Sequence, residues 1–161
     1  MDPRSFPTKG NLILAKNSLT LARQGYELMD KKRNILIREL MGLVDQAKDI
    51  QDEIRTTFTT AYAALQKADM ELGINAVADV ARNVPVEDTV EVKTRSIMGT
   101  EIPLVRYDAA NLAPAYAFYS TKESLDIARV SFEKVKDLTI KLSAVENSAY
   151  QLAANIKKAQ K

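Results

Sequence analysis

The sequence contains no cysteine, no histidine and no tryptophan, and only 5 glycines and 5 prolines in 161 residues. Without cysteine or histidine there is no disulfide framework, no Cys/His zinc site, no thiolate nucleophile and no imidazole base. The charges nearly cancel, at 23 Lys+Arg against 21 Asp+Glu, so the net charge of +2 predicts neither a nucleic-acid nor an anionic-membrane partner. No apolar run approaches the roughly 20 residues that span a bilayer. We therefore expect a soluble, cytoplasmic protein without direct membrane insertion.

Residues 10–72 contain no proline and predict one long helix. Apolar side chains recur there at alternating spacings of three and four, which is the a/d pattern of a coiled coil. This stripe consists of Leu12, Ala15, Leu19, Ala22, Tyr26, Met29, Arg33, Leu36, Leu40, Leu43, Ala47, Ile50 and Ile54. At 1.5 Å per residue the helix is about 90 Å long, so it cannot fold back into a compact domain by itself.

A second helix is predicted over residues 112–161, with Asn111 as its cap and Pro114 in its first turn. Its apolar stripe also leaves a wide polar face, so each helix needs one elongated partner. The chain reverses direction between them, and residues 73–84 form a short helix or linker. The predicted fold class is therefore all-α dominated, a long antiparallel two-helix coiled coil with a short β-hairpin between the helices. All 161 residues would form a single elongated domain.

The predicted β-hairpin occupies residues 88–108, where Val90 to Lys93 alternate in strand fashion. A two-residue turn at Met98-Gly99 pairs Ile97 with Thr100 and Val92 with Val105. This register places Val90, Val92, Val105 and Tyr107 on one face and sets Glu91 opposite Arg106 on the other. Pro103 cannot donate to a ladder, so its strand must leave at least one N–H position unpaired, as in an edge strand or a two-stranded ribbon. Because an isolated hairpin is only marginally stable, it must lean on the coil or on a partner.

Motifs for catalysis are missing from the sequence. There is no phosphate-binding loop, no GxGxxG and no GxSxG. Carboxylates such as Asp49, Asp52 and Glu53 lie beside Lys48 and Arg55 on the helix surface, which is typical of solvated ion pairs. We expect no cofactor, no metal and no enzymatic activity.

The run Lys31-Lys32-Arg33 could dock an acidic surface, although a solvated helix face is the simpler interpretation. Arg33 differs because it lies at an a position of the coiled coil. Its side chain must either extend out of the interface or pair across it.

Three segments resemble the D subunit of the V-type and archaeal A-type rotary ATPases. The first is PTKGNLILAKNSLTLARQGYELMDKKRNILIREL, residues 7–40, with the family's Gly-x-x-Leu, Lys-Arg and Leu-Ile-Arg-Glu elements. The second is VEVKTRSIMGTEIP, whose Ser96, Met98 and Gly99 are similar to the family's hairpin turn. The third is SAVENSAYQLAANIKKAQK, which resembles the start of the family's C-terminal helix motif.

The resemblance implies a non-catalytic central rotor shaft that couples ATP hydrolysis or synthesis to ion transport. Its partners would be the catalytic A and B subunits, the F subunit on its side and a connector subunit to the membrane ring. It would be cytoplasmic and peripheral to the membrane, and its hairpin would project laterally and contribute to activation of hydrolysis. Candidate partner-binding residues are Val90, Val92, Ile97, Met98, Gly99, Ile102, Val105, Lys32 and Arg33.

Members of this family continue past the position of Lys161, so the C-terminal helix is expected to be shorter than theirs. If Phe118 packs near Leu72, antiparallel pairing with equal rise along both helices places Lys161 near Met29. Six apolar side chains of the first helix would then lack an opposing helix: Leu12, Ile13, Leu14, Leu19, Leu21 and Leu28. We expect this portion to be disordered or to recruit a neighbouring molecule, including a second copy of the chain.

Two other classes of protein that contain long paired helices are alternatives to a rotor shaft. A prefoldin-like chaperone also has β-hairpin structure between two long helices, but a single hairpin makes a prefoldin-like barrel awkward. A coiled-coil arm that grips RNA needs a basic stripe, which the balanced charges do not provide.

Overall fold

The fold consists of two long helices, a short helix and a two-stranded hairpin. The computed structural model describes residues 6–86, 90–107, 115–117, 119 and 121–159. The elements are α1 (Lys9–Leu72), α2 (Ile74–Ala81), β1 (Glu91–Ile97), β2 (Thr100–Arg106) and α3 (Glu123–Ala159). The predicted fold class is confirmed.

Helix α1 begins one residue before the predicted start and ends at the predicted residue. Thr8 caps it, accepting a hydrogen bond from the backbone N–H of Asn11 at 3.2 Å. Gly73 ends it with a φ of 89°, a conformation that L-residues rarely adopt. Its 64 residues give a length of about 96 Å.

Helix α3 begins at Glu123 and not at residue 112 as predicted. Residues 115–117 and 121–122 are not helical, while the predicted Asn111 cap, Pro114 and Phe118 lie outside the described residues. The physical reason involves Tyr116, which packs against the α1–α2 junction and donates a hydrogen bond to Asp126 Oδ1 at 2.6 Å. This contact ties the segment before α3 back to the helix's first turn. The first turn of α3 carries Glu123 and Asp126, whose negative charges interact favourably with the positive end of the helix dipole.

Contacts between α1 and α3 show that the two helices are antiparallel. As the residue number on α1 falls, that of its partner on α3 rises. In order, the pairs are Glu71 with Ser124 at 2.7 Å, Glu53 with Lys134 at 2.8 Å, Gln51 with Glu146 at 3.3 Å, and Leu36 with Leu152 in one apolar cluster.

Small side chains line part of this helix pair. Ala61 and Ala68 of α1 are fully buried, and Ala128 of α3 is 2% exposed. Alanine at these positions lets the two backbones approach closely. A ring cluster of Phe58, Tyr62 and Phe132 adds bulk between them, with Tyr62 and Phe132 edge to face at 5.3 Å.

The first turns of α1 extend beyond this paired region. We call the segment Lys9–Met29 the N-terminal arm. The six side chains expected to lack an opposing helix are 51–71% exposed, and the described residues place no helix opposite them. The arm is nevertheless helical from Lys9, so the expectation of disorder is wrong. Recruitment of a neighbouring molecule stays a prediction.

Candidate functional site

The hairpin has the register that the sequence predicts. Ile97 pairs with Thr100, Val92 with Val105 and Glu91 with Arg106. Met98 and Gly99 form the turn with φ angles of 51° and 77°. Positive φ at both central residues is the geometry of a type I′ turn, whose twist matches that of the two strands.

Pro103 fits this hairpin without loss of a ladder hydrogen bond. Pairs alternate between hydrogen-bonded and non-hydrogen-bonded along an antiparallel ladder. The Ile97–Thr100 pair flanks a two-residue turn and is hydrogen-bonded, so the Thr94–Pro103 pair is of the non-hydrogen-bonded kind. The outward-pointing carbonyl of Pro103 accepts a hydrogen bond from Ser148 Oγ of α3 at 3.3 Å.

Strand β2 attaches the hairpin to α3 along its length. At the base of the hairpin the Tyr107 hydroxyl donates to Asp137 Oδ1. At the turn end Ile102 packs with Leu36, Leu152 and Ile156. The hairpin therefore lies along the coil with β2 inward, and β1 forms its outer edge, where residues 91–96 are exposed.

The structure gives two of the predicted partner-binding residues a structural role. Ile102 is 3% exposed and Ile97 is half-buried, and both pack against the coil. Both supply the apolar contact that an isolated hairpin lacks, and a partner-binding role for either of them stays a prediction. The apolar face predicted from the sequence, which carries Val92 and Val105, is the opposite face of the hairpin. On that face Val92 is 66% exposed.

The other predicted residues lie in two places. Val90 and Met98 are 40% and 46% exposed, Gly99 is exposed and Val105 is half-buried. These residues remain candidates for a partner surface along the hairpin, and nothing in the structure tests that assignment.

Lys32 and Arg33 lie on α1 one turn before Leu36, at the level of the hairpin's turn end. Arg33 pairs with Asp30 of its own helix at 2.8 Å and not across the coiled coil. Its Nε is buried and has no hydrogen-bond partner among the described residues. A partner-binding role for this pair also stays a prediction.

A cleft of about 1230 Å³ separates the hairpin from the coil, and the sequence alone does not predict it. Its floor comes from α1 between Leu43 and Ile50 and from α3 between Ile140 and Ser148. Its wall is the hairpin face that carries Lys93, Arg95 and Arg106. The register predicts that these three cations share a face, but the cleft exists only because β2 docks against the coil.

The side chain of Tyr116 has an altered pKa. Burial raises the pKa of Tyr116 above its ordinary value of 10.0, and the hydrogen bond to Asp126 and the charge of Asp126 raise it further. The guanidinium of Arg129, 5.4 Å from the tyrosine ring centroid, acts in the opposite direction. This tyrosine lies beside the α1–α2 junction, away from the cleft.

Two kinds of feature are missing from the described ranges. No group of three or more His, Cys, Asp or Glu side chains there is placed to hold a metal ion. Within the same part of the chain, every helix is too short or too polar to cross a bilayer.

Comparison with known proteins identifies relatives over nearly the whole chain. Residues 11–161 match the family of ATP synthase D subunits. The V-type ATP synthase D subunit of Thermotoga neapolitana is 40% identical over 155 residues, which is 96% of this chain and 76% of the relative. The A-type ATP synthase D subunits of Thermococcus kodakarensis and Pyrococcus furiosus are both 32% identical, covering 93% and 96% of this chain and 72% and 74% of those proteins.

Proposed function

This chain belongs to the family of ATP synthase D subunits, and on that basis we propose that it is the central rotor shaft of a V-type or A-type rotary ATPase. It makes and breaks no bonds itself. ATP hydrolysis in the surrounding catalytic subunits would turn it, or ion flow would turn it in the reverse direction. The observation that carries the proposal is the antiparallel pair of α1 and α3, joined by contacts from Glu71–Ser124 to Leu36–Leu152.

A shaft must resist bending and twisting, and this helix pair has the means to do so. Interlocked side chains couple the two helices along α3, so bending one helix deforms the other. The hairpin on one side makes the rod asymmetric, so the catalytic sites around it would face different surfaces at each angle. Asymmetry of this kind is what converts a rotation angle into a difference between otherwise equivalent sites.

The proposed partners follow the family assignment. The catalytic A and B subunits would surround the coil, the F subunit would bind its side, and a connector subunit would join it to the membrane ring. The protein would then be cytoplasmic and peripheral to the membrane. The relatives support assembly into an ATP synthase complex, since each is named as a subunit of one.

Reconstitution tests this proposal directly. We expect the purified chain to show no nucleotide hydrolysis by itself and to co-purify with the F subunit and the A/B hexamer. Hydrolysis by the isolated chain, or failure to join the hexamer when the F subunit and both catalytic subunits are present, would contradict it.

The turn provides a test of the hairpin's part in activation. Gly99→Ala places a Cβ at a φ of 77°, which costs about 1–2 kcal/mol and weakens the turn. We expect this variant to assemble but to stimulate ATP hydrolysis less than the wild-type chain. Gly42→Ala is the matched control, because Gly42 is helical and a Cβ there meets nothing within 4 Å. Equal stimulation by both variants would argue against a role for the hairpin.

A prefoldin-like chaperone receives no support from the comparisons. The relatives described above are named as ATP synthase subunits, and the part of the chain that the structure describes has one hairpin.

A further inference from the structure

We propose that the cleft between the hairpin and the coil binds an amphipathic helix of a partner protein, with acidic side chains along one flank of that helix. The inference goes beyond the proposed function, because it requires neither rotation nor any particular assembly. It rests on the shape, lining and charge of the cleft.

The shape of the cleft suits a short helix. The Ile102 cluster closes it at the turn end of the hairpin, and Tyr107 and Asp137 close it at the base. A helix with its side chains is about 10 Å wide and rises 1.5 Å per residue. The floor between Leu43 and Ile50 of α1 runs for about 10 Å, which matches about two turns of an incoming helix.

The lining of the cleft has an apolar floor. Ile50 of α1 and Ile140 and Val145 of α3 are half-buried, and Leu104 of β2 is 41% exposed. Apolar side chains spaced three and four residues apart on an incoming helix would cover these groups and remove them from water.

The charge of the cleft is positive and concentrated on its hairpin wall. Lys93, Arg95 and Arg106 share the ribbon face that looks into the cleft, and Lys141 lies on the α3 side. Asp49 and Glu91 are the only acidic residues among the lining residues described. The contact of Lys93 with Glu91 at 3.3 Å joins two exposed side chains, so it holds Lys93 only weakly. Carboxylates on the partner are therefore the complementary groups.

Backbone pairing favours a helix over an extended strand in this cleft. The strand that borders the cleft floor is β2, and the outward carbonyl of Pro103 is already bonded to Ser148. Pro103 also has no N–H to offer. A strand would find free backbone groups at the outer edge of β1, away from the coil, whereas a helix satisfies its own backbone groups.

The test is a binding titration of the full chain by fluorescence anisotropy. The probe is a labelled, stapled peptide of about 14 residues, with leucines at helical spacing and glutamates along one flank, since an unstapled helix of this length is marginal in water. The reference probe has the same sequence with lysine in place of glutamate. We expect the acidic peptide to bind at least about tenfold more tightly than the lysine peptide, and more weakly as salt rises.

Variants locate the binding site. K93E with R95E should weaken binding of the acidic peptide by about tenfold or more, and the charge-matched control K157E with K158E by less than about twofold. Ala144→Trp should block the floor and weaken binding independently of charge, with helicity of each variant checked by circular dichroism.

Several outcomes would overturn the inference. These are equal affinity for both peptides, equal effects of the two charge reversals, and undiminished binding by the Ala144→Trp variant. Loss of binding only when β1 is altered, as by Thr94→Pro, would instead identify strand addition at the outer edge. Normal assembly of the rotary complex alongside failed peptide binding would refute the cleft inference and leave the proposed function standing.

Discussion

At the scale of single residues, the position of the hairpin depends on Ile102. It is the hairpin's most buried hydrophobic side chain and belongs to one apolar cluster with Leu36 of α1 and with Leu152 and Ile156 of α3. Val92 lies on the same ribbon but on its opposite face, and it is 66% exposed. Comparing substitutions at Ile102 and Val92 therefore separates the stability gained by docking the hairpin on the coil from the stability gained by strand propensity.

We expect Ile102→Ala to lower the free energy of unfolding by about 2–4 kcal/mol, because it leaves a cavity where hairpin and coil meet. Val92→Ala should cost less than about 1 kcal/mol, since its side chain is 66% exposed and has little packing to lose beyond its contact with Val105. Chemical denaturation measures both, and hydrogen exchange of the hairpin amides shows whether docking is lost. Equal effects at the two positions would mean that the hairpin is held mainly by its polar contacts to α3.

Tyr116 is a second residue whose environment has a measurable consequence. Because the pKa of the folded-state hydroxyl is raised above 10.0, the folded chain keeps this proton where the unfolded chain releases it. The stabilising contribution is complete below pH 10 and is lost as the pH rises through the folded-state pKa. Stability should therefore fall with pH in this alkaline window.

We expect the wild-type chain to lose more thermal stability than a Tyr116→Phe variant between about pH 9 and about pH 11. The other tyrosines are common to both chains and cancel in the difference. Melting temperatures from circular dichroism at several pH values provide the measurement. Parallel pH profiles would show that the hydroxyl contact to Asp126 does not persist in solution.

At the scale of elements, small buried side chains let the two helices of the coil pack closely. Ala61 is fully buried where α1 faces α3, whereas Ala63 is exposed on the same helix. Close backbone approach at the first position leaves no space for a larger side chain.

We expect Ala61→Leu to destabilise the chain by about 1–3 kcal/mol through overpacking. Ala63→Leu makes the same change at an exposed site and should stay within about 0.5 kcal/mol of the wild type. Urea denaturation compares the two. A neutral Ala61→Leu variant would show that the helices can separate locally, which would weaken the case for a stiff shaft.

At the scale of the whole molecule, the apolar N-terminal arm extends past the helix pair. Leu14, Leu21 and Leu28 follow one another at a spacing of seven and are 64–71% exposed. A row of this length on one flank of a helix favours association with another molecule.

We expect the isolated chain to self-associate above its monomer mass of 17.9 kDa over about 1–100 µM. L21Q with L28Q should shift the equilibrium toward monomer, while Met70→Gln, at a site 75% exposed outside the arm, should not. Sedimentation equilibrium gives the masses. A strict monomer at all concentrations, together with a protease-resistant arm, would exclude the expectation.

Local patterns were sufficient for much of this architecture. The heptad spacing of α1 and the positive-φ turn at Met98-Gly99 depend on neighbours in the chain, so the long helix and the hairpin register could be predicted. The start of α3 could not, because it depends on the contact of Tyr116 with Asp126 and with the α1–α2 junction.

The sequence by itself determined the elements and their direction, since periodicity and turn chemistry act over a few residues. Only the tertiary structure decided which hairpin face is buried. Both faces carry apolar side chains, Val92 and Val105 on one and Ile97 and Ile102 on the other, so alternation alone cannot choose between them. The choice came from the fit of Ile102 between α1 and α3, and the same docking opened the basic cleft beneath the hairpin.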